Sequence, residues 1–308
     1  MVKKKAYLFI GLIFLLLIMP LSSAGVFSDL WGKITGYGTS GTTTVNITIG
    51  NCVPTIGFVE VIPDLTPAES ATNTTTFNFT VTDDDGGSNI DVNTAAGYFQ
   101  RSGEATRSNL TCSDWATSGD DVNFTCTIGL LYFDQAGAWT INVTVRDNHG
   151  ATAENSSTTF TYNLLTAMVI APTALAWGEI GLTAADTPAT SNPVTVNNTG
   201  NDVNLSINVT AIDLRGNVTL TDFIFAENFT VENITTGCDL TFATTMVNKT
   251  STNVTSTILH RGNNTLQYNN FTSGQEQVFF CLKGVPQNIA SQEYSSIHLG
   301  VWTVQIIT

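Results

Sequence analysis

The chain has 308 residues, a formal net charge of −14 and only 12% charged residues, while 42% are hydrophobic. An ordinary soluble domain is about a quarter charged; here 50 Thr, 28 Asn and 20 Ser supply the polarity instead. This balance excludes nucleic-acid binding through a basic surface and a disordered acidic tail, and argues against attraction to anionic lipid headgroups; the length allows about two domains.

Residues 1–24 read as a secretory signal peptide. Lys3, Lys4 and Lys5 precede an apolar run from Ala6 to Met19; Pro20 breaks it, and Ser22-Ser23-Ala24 offers small residues for cleavage. The run is short for a spanning helix, which needs about 20 apolar residues; an uncleaved anchor is the alternative. Residues 25–45 read as a Gly-, Ser- and Thr-rich linker. It holds one short amphipathic piece, Phe27, Leu30, Trp31 and Ile34, at helical spacing. Thr44–Ile49 alternates apolar and polar and reads as a strand. It would pair either with its own domain or with the sheet edge of a neighbouring subunit.

Residues 46–164 carry strand-like runs at Thr55–Val61, Thr75–Thr82, Ala95–Gln100, Arg107–Trp115, Asn123–Tyr132, Ala138–Arg146 and Ser157–Tyr162, separated by turn clusters. Short strands at this spacing predict a β-sandwich. Residues 165–308 repeat the style. Strands are expected at Leu165–Ile170, Asn192–Val196, Val203–Ile212, Phe223–Val231, Asp239–Val247, Val254–His260, Gln277–Gly284 and Gly300–Ile307, with a tight turn at Asn198–Asn201. The fold class is therefore all-β, with two tandem Ig-like β-sandwich domains after the signal peptide.

Five cysteines are present, none with zinc-finger spacing. In an exported chain disulfides are favoured. Cys112 and Cys126 lie symmetrically about Gly119, so a hairpin would bring them opposite each other. Cys238 and Cys281 pair by elimination, which leaves Cys52 free or bonded to another chain.

Seventeen N-x-S/T triplets begin at Asn46, Asn73, Asn78, Asn109, Asn123, Asn142, Asn155, Asn197, Asn204, Asn208, Asn217, Asn228, Asn233, Asn248, Asn253, Asn263 and Asn270. Chance would give about six at this Asn, Ser and Thr content, so the excess points to N-glycosylation acceptors. In most of them the middle residue is apolar, as in Asn78-Phe79-Thr80. A strand alternates faces, so Asn and Thr would face solvent while the middle residue points inward. A competing reading takes Asn and Thr simply as uncharged strand and turn residues.

Phe79-Thr80-Val81-Thr82-Asp83 followed by Asp85-Gly86, and the run Gly137 to Gly150, resemble the strand-and-turn signature of PKD- and cadherin-like extracellular modules. With the signal sequence and the Asn198–Asn201 turn, the chain looks similar to secreted Ig-like cell-surface proteins of archaea. The resemblance covers most of residues 51–164 and is stylistic in residues 165–308. It implies a structural or adhesive role at the cell envelope. Such modules often bind calcium, and Asp83, Asp85, Asp91 and Asp147 are the candidate ligands, although the DxNDN linker of cadherins is missing. The plainer reading is a pair of solvated turns.

No GxSxG elbow, HExxH pair or phosphate-binding Gly-Lys-Ser/Thr loop occurs, and His149, His260 and His298 are far apart in sequence. The expectation is a non-enzymatic, extracellular or cell-surface glycoprotein: an adhesin, an S-layer-associated protein or a filament component. Its partners would be other envelope proteins or further copies of itself. The alternative is a carbohydrate- or ligand-binding secreted module, with glycans as partners.

Overall fold

The computed structural model describes residues 42–233, 238, 243–262 and 274–308. The signal-peptide and amphipathic-linker assignments, and the sequons at Asn263 and Asn270, lie outside these residues. The chain divides into two units, Met1–Gly50 and Asn51–Thr308. In the first, residues 42–50 carry no regular secondary structure, and Val45, Ile47 and Ile49 are 73%, 82% and 86% exposed. The strand expected at Thr44–Ile49 is thus not formed, and residues 46–50 fall outside the compact unit. A strand closes none of its own backbone hydrogen bonds, and this one has no strand partner among the described residues.

In the second unit, Asn51–Thr308, no α-helix occurs among the described residues. Its first eight strands are β1 (Thr55–Val59), β2 (Thr72–Thr82), β3 (Ile90–Gln100), β4 (Arg107–Asn109), β5 (Ser113–Ser118), β6 (Asp121–Leu131), β7 (Gly137–Asp147) and β8 (Thr152–Tyr162). They form two antiparallel four-stranded sheets, ordered β1-β2-β6-β5 and β4-β3-β7-β8. Alternation does the sorting. In β2, Phe77, Phe79 and Val81 are buried while Asn78, Thr80 and Thr82 are only partly covered. The inward residues meet those of β6 and β7 in one core: Phe79 stacks on Phe124 with ring centroids 5.0 Å apart, and Trp139 is fully buried.

The run expected as one strand over Arg107–Trp115 is two. β4 pairs with β3 in one sheet and β5 with β6 in the other. Residues 110–112 carry the chain between sheets, anchored by the Cys112 N–H donating to the Ala95 carbonyl at 2.9 Å. The Cys112–Cys126 disulfide crosses this point, with Cα atoms 4.6 Å apart. Gly97 lies beneath it: a Cβ there would sit 2.8 Å from the Cys126 Sγ.

The remaining strands are β9 (Met168–Ala171), β10 (Ala185–Pro188), β11 (Val194–Asn198), β12 (Ser206–Thr210), β13 (Leu214–Gly216), β14 (Phe223–Ile224), β15 (Phe229–Glu232), β16 (Thr244–Thr245), β17 (Ser251–Asn253), β18 (Gln275–Gly284), β19 (Tyr294–Ser295) and β20 (Thr303–Ile307). The main sheet runs β16-β15-β18-β11-β9, with β10 also on β18; β17-β12-β20 and β14-β13-β19 are separate three-stranded sheets. A second core gathers Val196, Ile207, Val209, Phe229, Val278 and Phe280. Cys238 is bonded to Cys281 on β18.

Here the sequence pattern overstates strand length. The run Phe223–Val231 is interrupted by a 3-10 turn at Ala226–Asn228. Val254–His260 is a turn region with a single bridge from Leu259 to Leu205. Its Thr257 hydroxyl accepts the Ile207 N–H at 3.1 Å, standing in for a ladder carbonyl.

Candidate functional site

The outer faces of the strands carry the densest chemical pattern. Alternation turns the middle residue of the sequon into the core at Phe79, Phe124, Val143, Val209 and Phe229, all buried; Leu205 and Val254 are buried too, just outside strands. It fails at Ile47, Leu110 and Val218, which are 82%, 63% and 81% exposed. Those three lie outside strands, where period-two logic has no purchase.

The sequon Asn side chains fall into two chemical states. Several are ties between strands. Asn78 donates to Glu60 Oε2 at 2.7 Å and accepts from the Thr125 hydroxyl at 2.5 Å. Asn123 accepts from the Thr80 hydroxyl at 2.7 Å, and Asn248 donates to Asp213 Oδ2 at 2.7 Å. Asn142 is 8% exposed and donates to Glu154 Oε1 at 2.8 Å. In the Asn228 sequon the Thr230 hydroxyl is buried, with no hydrogen-bond partner among the described residues. Asn46 and Asn204, by contrast, are exposed. Asn204 sits at φ 59°, a conformation that Asn tolerates better than most residues, presenting its amide on a turn.

The acidic turns are joined at one end of the first sandwich. Asp83, fully buried, accepts the Asp85 N–H and the Asn89 Nδ2, both at 2.9 Å. Asp147 accepts the N–H groups of His149 and Ala151 at 2.9 and 2.8 Å and the Asn51 Nδ2 at 2.6 Å. The Asn51 amide, helped by these backbone donors, holds the Asp147 carboxyl below its ordinary value against the opposing effect of burial. Asp85 accepts the Cys52 N–H at 2.6 Å. Asp91 lies opposite Arg146 at a bulge in β3 and accepts from Asn93.

This does not fit the expected calcium site. Calcium needs six to eight oxygens directed at one point. Here the carboxylates of Asp83, Asp85 and Asp147 are taken up by N–H donors, and that of Asp91 by Asn93. Among the described residues no group of three His, Cys, Asp or Glu could hold a metal ion. The carboxylates pin turns and fasten the entry segment at Asn51 and Cys52. Cys52 is free and half-buried; the negative charge of Asp85, with burial and Asp84 and Asp83, pushes its thiol up, away from reactive thiolate.

The feature the sequence reading undervalued is the Asn198–Asn201 turn. It is not an exposed turn: Asn198 and Thr199 are fully buried, and Asn201 nearly so. Asn201 Nδ2 donates to the carbonyls of Asp134 and Asn163, both at 3.0 Å, while its Oδ1 accepts the Leu165 N–H at 2.7 Å. The Thr199 hydroxyl donates to Glu69 Oε1 at 2.5 Å. Gly200 packs so closely that a Cβ would lie 2.0 Å from the Leu165 carbonyl oxygen. Beside it Arg261 pairs with the buried Glu104 and donates to the Phe133 carbonyl at 2.8 Å. Arg107 pairs likewise with the fully buried Asp134. Polar side chains from both cores thus form one junction. The sequence signal was there in the density of Asn, Thr, Gly and Asp, but burial is a spatial fact.

An open cleft of about 650 Å³ lies on the outer face of β3 and β7, lined by Gln100, Arg101, Ser102, Thr106, Ala138, Thr140 and Ser156. Its charged group is committed: Arg101 donates to the Ala138 carbonyl at 2.8 Å and to Gln135 Oε1 at 3.2 Å. His149 and His298 each sit 3.0 and 2.8 Å from an Asn side-chain oxygen, as turn braces.

No family model and no curated protein matches the chain. Among solved structures, the crystal structure of dimeric latent PorU from Porphyromonas gingivalis is similar at 13% identity with a TM-score of 0.24. The match covers 56% of this chain and 15% of that one, so the chain spans a small part of that structure's length.

Proposed function

We propose that the protein is a glycosylated, non-enzymatic structural or interaction protein of the cell envelope. The observation that carries this reading is the coincidence of sequon and strand: at Phe79, Phe124 and Val209 the middle residue is in the core while Asn and Thr lie on the outer side. Glycans on such faces would provide the solvation that charges provide elsewhere. Two disulfides suit an oxidising compartment. No helix among the described residues is long and apolar enough to cross a membrane. The resemblance to PKD- and cadherin-like modules and to archaeal surface proteins supports the same role, with envelope proteins or further copies as partners. Immunogold electron microscopy of intact native cells tests it. Label on the cell exterior, in arrays or filaments, is expected; label confined to the cell interior would overturn it.

A further inference from the structure

The two cores are closed differently. Around the first, Leu65 and Val92 are the partly buried apolar residues. Its β1 side is sealed to β8 by the Leu65–Tyr162 bridge and by Asn155 Nδ2 donating to the Ile56 carbonyl at 2.8 Å. Its β5 edge is blunted by a bulge between Asp114 and Ala116. The second core is left half-covered along one side. β9 and β20 each terminate a sheet, and Met168 and Ile170 on the one and Val304 and Ile306 on the other pack against the core yet stay partly exposed. The opposite side is closed: β16 and the end of β17 meet through the Thr244 and Thr255 hydroxyls, 3.1 Å apart. Neither β9 (MVIA) nor β20 (TVQII) carries a charge or a bulge, the usual protections of an edge strand.

Residues 44–49 have what this side lacks. They alternate Thr-Val-Asn-Ile-Thr-Ile, carry no charge, and are one residue longer than β20. In their own chain Val45, Ile47 and Ile49 are 73–86% exposed. We propose that Thr44–Ile49 of one copy adds as a strand alongside β20 of a second copy. Val45, Ile47 and Ile49 then lie on the same face as Val304 and Ile306 and cover them, and Thr44, Asn46 and Thr48 face solvent. Main-chain hydrogen bonds to the free edge of β20 supply affinity, and the alternation sets the register. The contact joins two different surfaces, so repeated from copy to copy it builds an assembly, a closed ring or an open chain. It rests on the self-assembling form of the envelope reading. A surface glycoprotein that stays monomeric would remove this inference and leave that reading standing.

The test uses the full protein and the variant I47D/I49D, whose substituted side chains are exposed and leave the fold intact. Analytical ultracentrifugation should show the wild type associating with concentration and the variant remaining monomeric. A synthetic peptide of residues 42–50, added to the variant, should slow amide exchange in Thr303–Ile307 at least about tenfold. Monomeric wild type, association unaffected by I47D/I49D, or peptide protection at β5 instead of β20 would each overturn the proposal. So would a monomeric wild type whose Thr303–Ile307 amides are already protected relative to the variant, since the strand would then be docking within its own chain.

Discussion

At the scale of single residues, the polar groups inside the sandwiches set the sharpest expectations. Glu276, buried on β18, accepts the Ile258 N–H at 3.4 Å, but burial outweighs that bond and raises its carboxyl above the ordinary 4.5. The folded state therefore holds this proton to higher pH than the unfolded chain, and stability falls as pH rises above about 4.5 and through the raised value. Glu276→Gln should be more stable than wild type at neutral pH, and the difference should vanish below the ordinary carboxylate range; urea unfolding across pH reads it. Arg107 has the opposite character. Its removal leaves the fully buried Asp134 without its cation, so Arg107→Ala should cost about 3–5 kcal/mol in the same assay. Neither group stood out in the sequence, because a Glu on an alternating strand and an Arg at the start of one look like surface until burial is known.

At the scale of elements, the first sandwich was largely legible, since long alternating runs such as Phe77-Asn78-Phe79-Thr80-Val81 bury one face and expose the other. The break at residues 110–112 was not, because Leu110 and Cys112 continue the apolar alternation while the chain changes sheets. In the second half, short strands and side-chain substitutes for ladder bonds, such as Thr257, blurred the boundaries. The Cys112–Cys126 bridge spans 14 residues, so removing it as C112A/C126A should cost about 3 kcal/mol in reducing-agent-free unfolding. Gly97→Ala should cost about 1–3 kcal/mol by forcing a Cβ against Cys126 Sγ and Phe77. Combined with C112A/C126A the cost should shrink, because an unbridged side chain can yield; a strictly additive cycle would contradict the packing account.

At the scale of the whole molecule, the two cores are joined by polar side chains. Arg261→Ala leaves Glu104 buried and unpaired, and should split a single calorimetric transition into two as the junction weakens; one unchanged transition would place the coupling elsewhere. This junction was written in the sequence as Asn198-Thr199-Gly200-Asn201 and read there as a turn, because short polar side chains suit exposed turns and buried clamps equally. The scarcity of charge was legible from the start, and its counterpart is a strand surface of Asn and Thr. Some of these Asn are structural ties and others are exposed. Site-resolved mass spectrometry of peptides from the protein purified from its native host tests the claim most directly. Glycan is expected at the exposed Asn46 and Asn204 and not at Asn142 or Asn228; unmodified peptides at all these positions would contradict it.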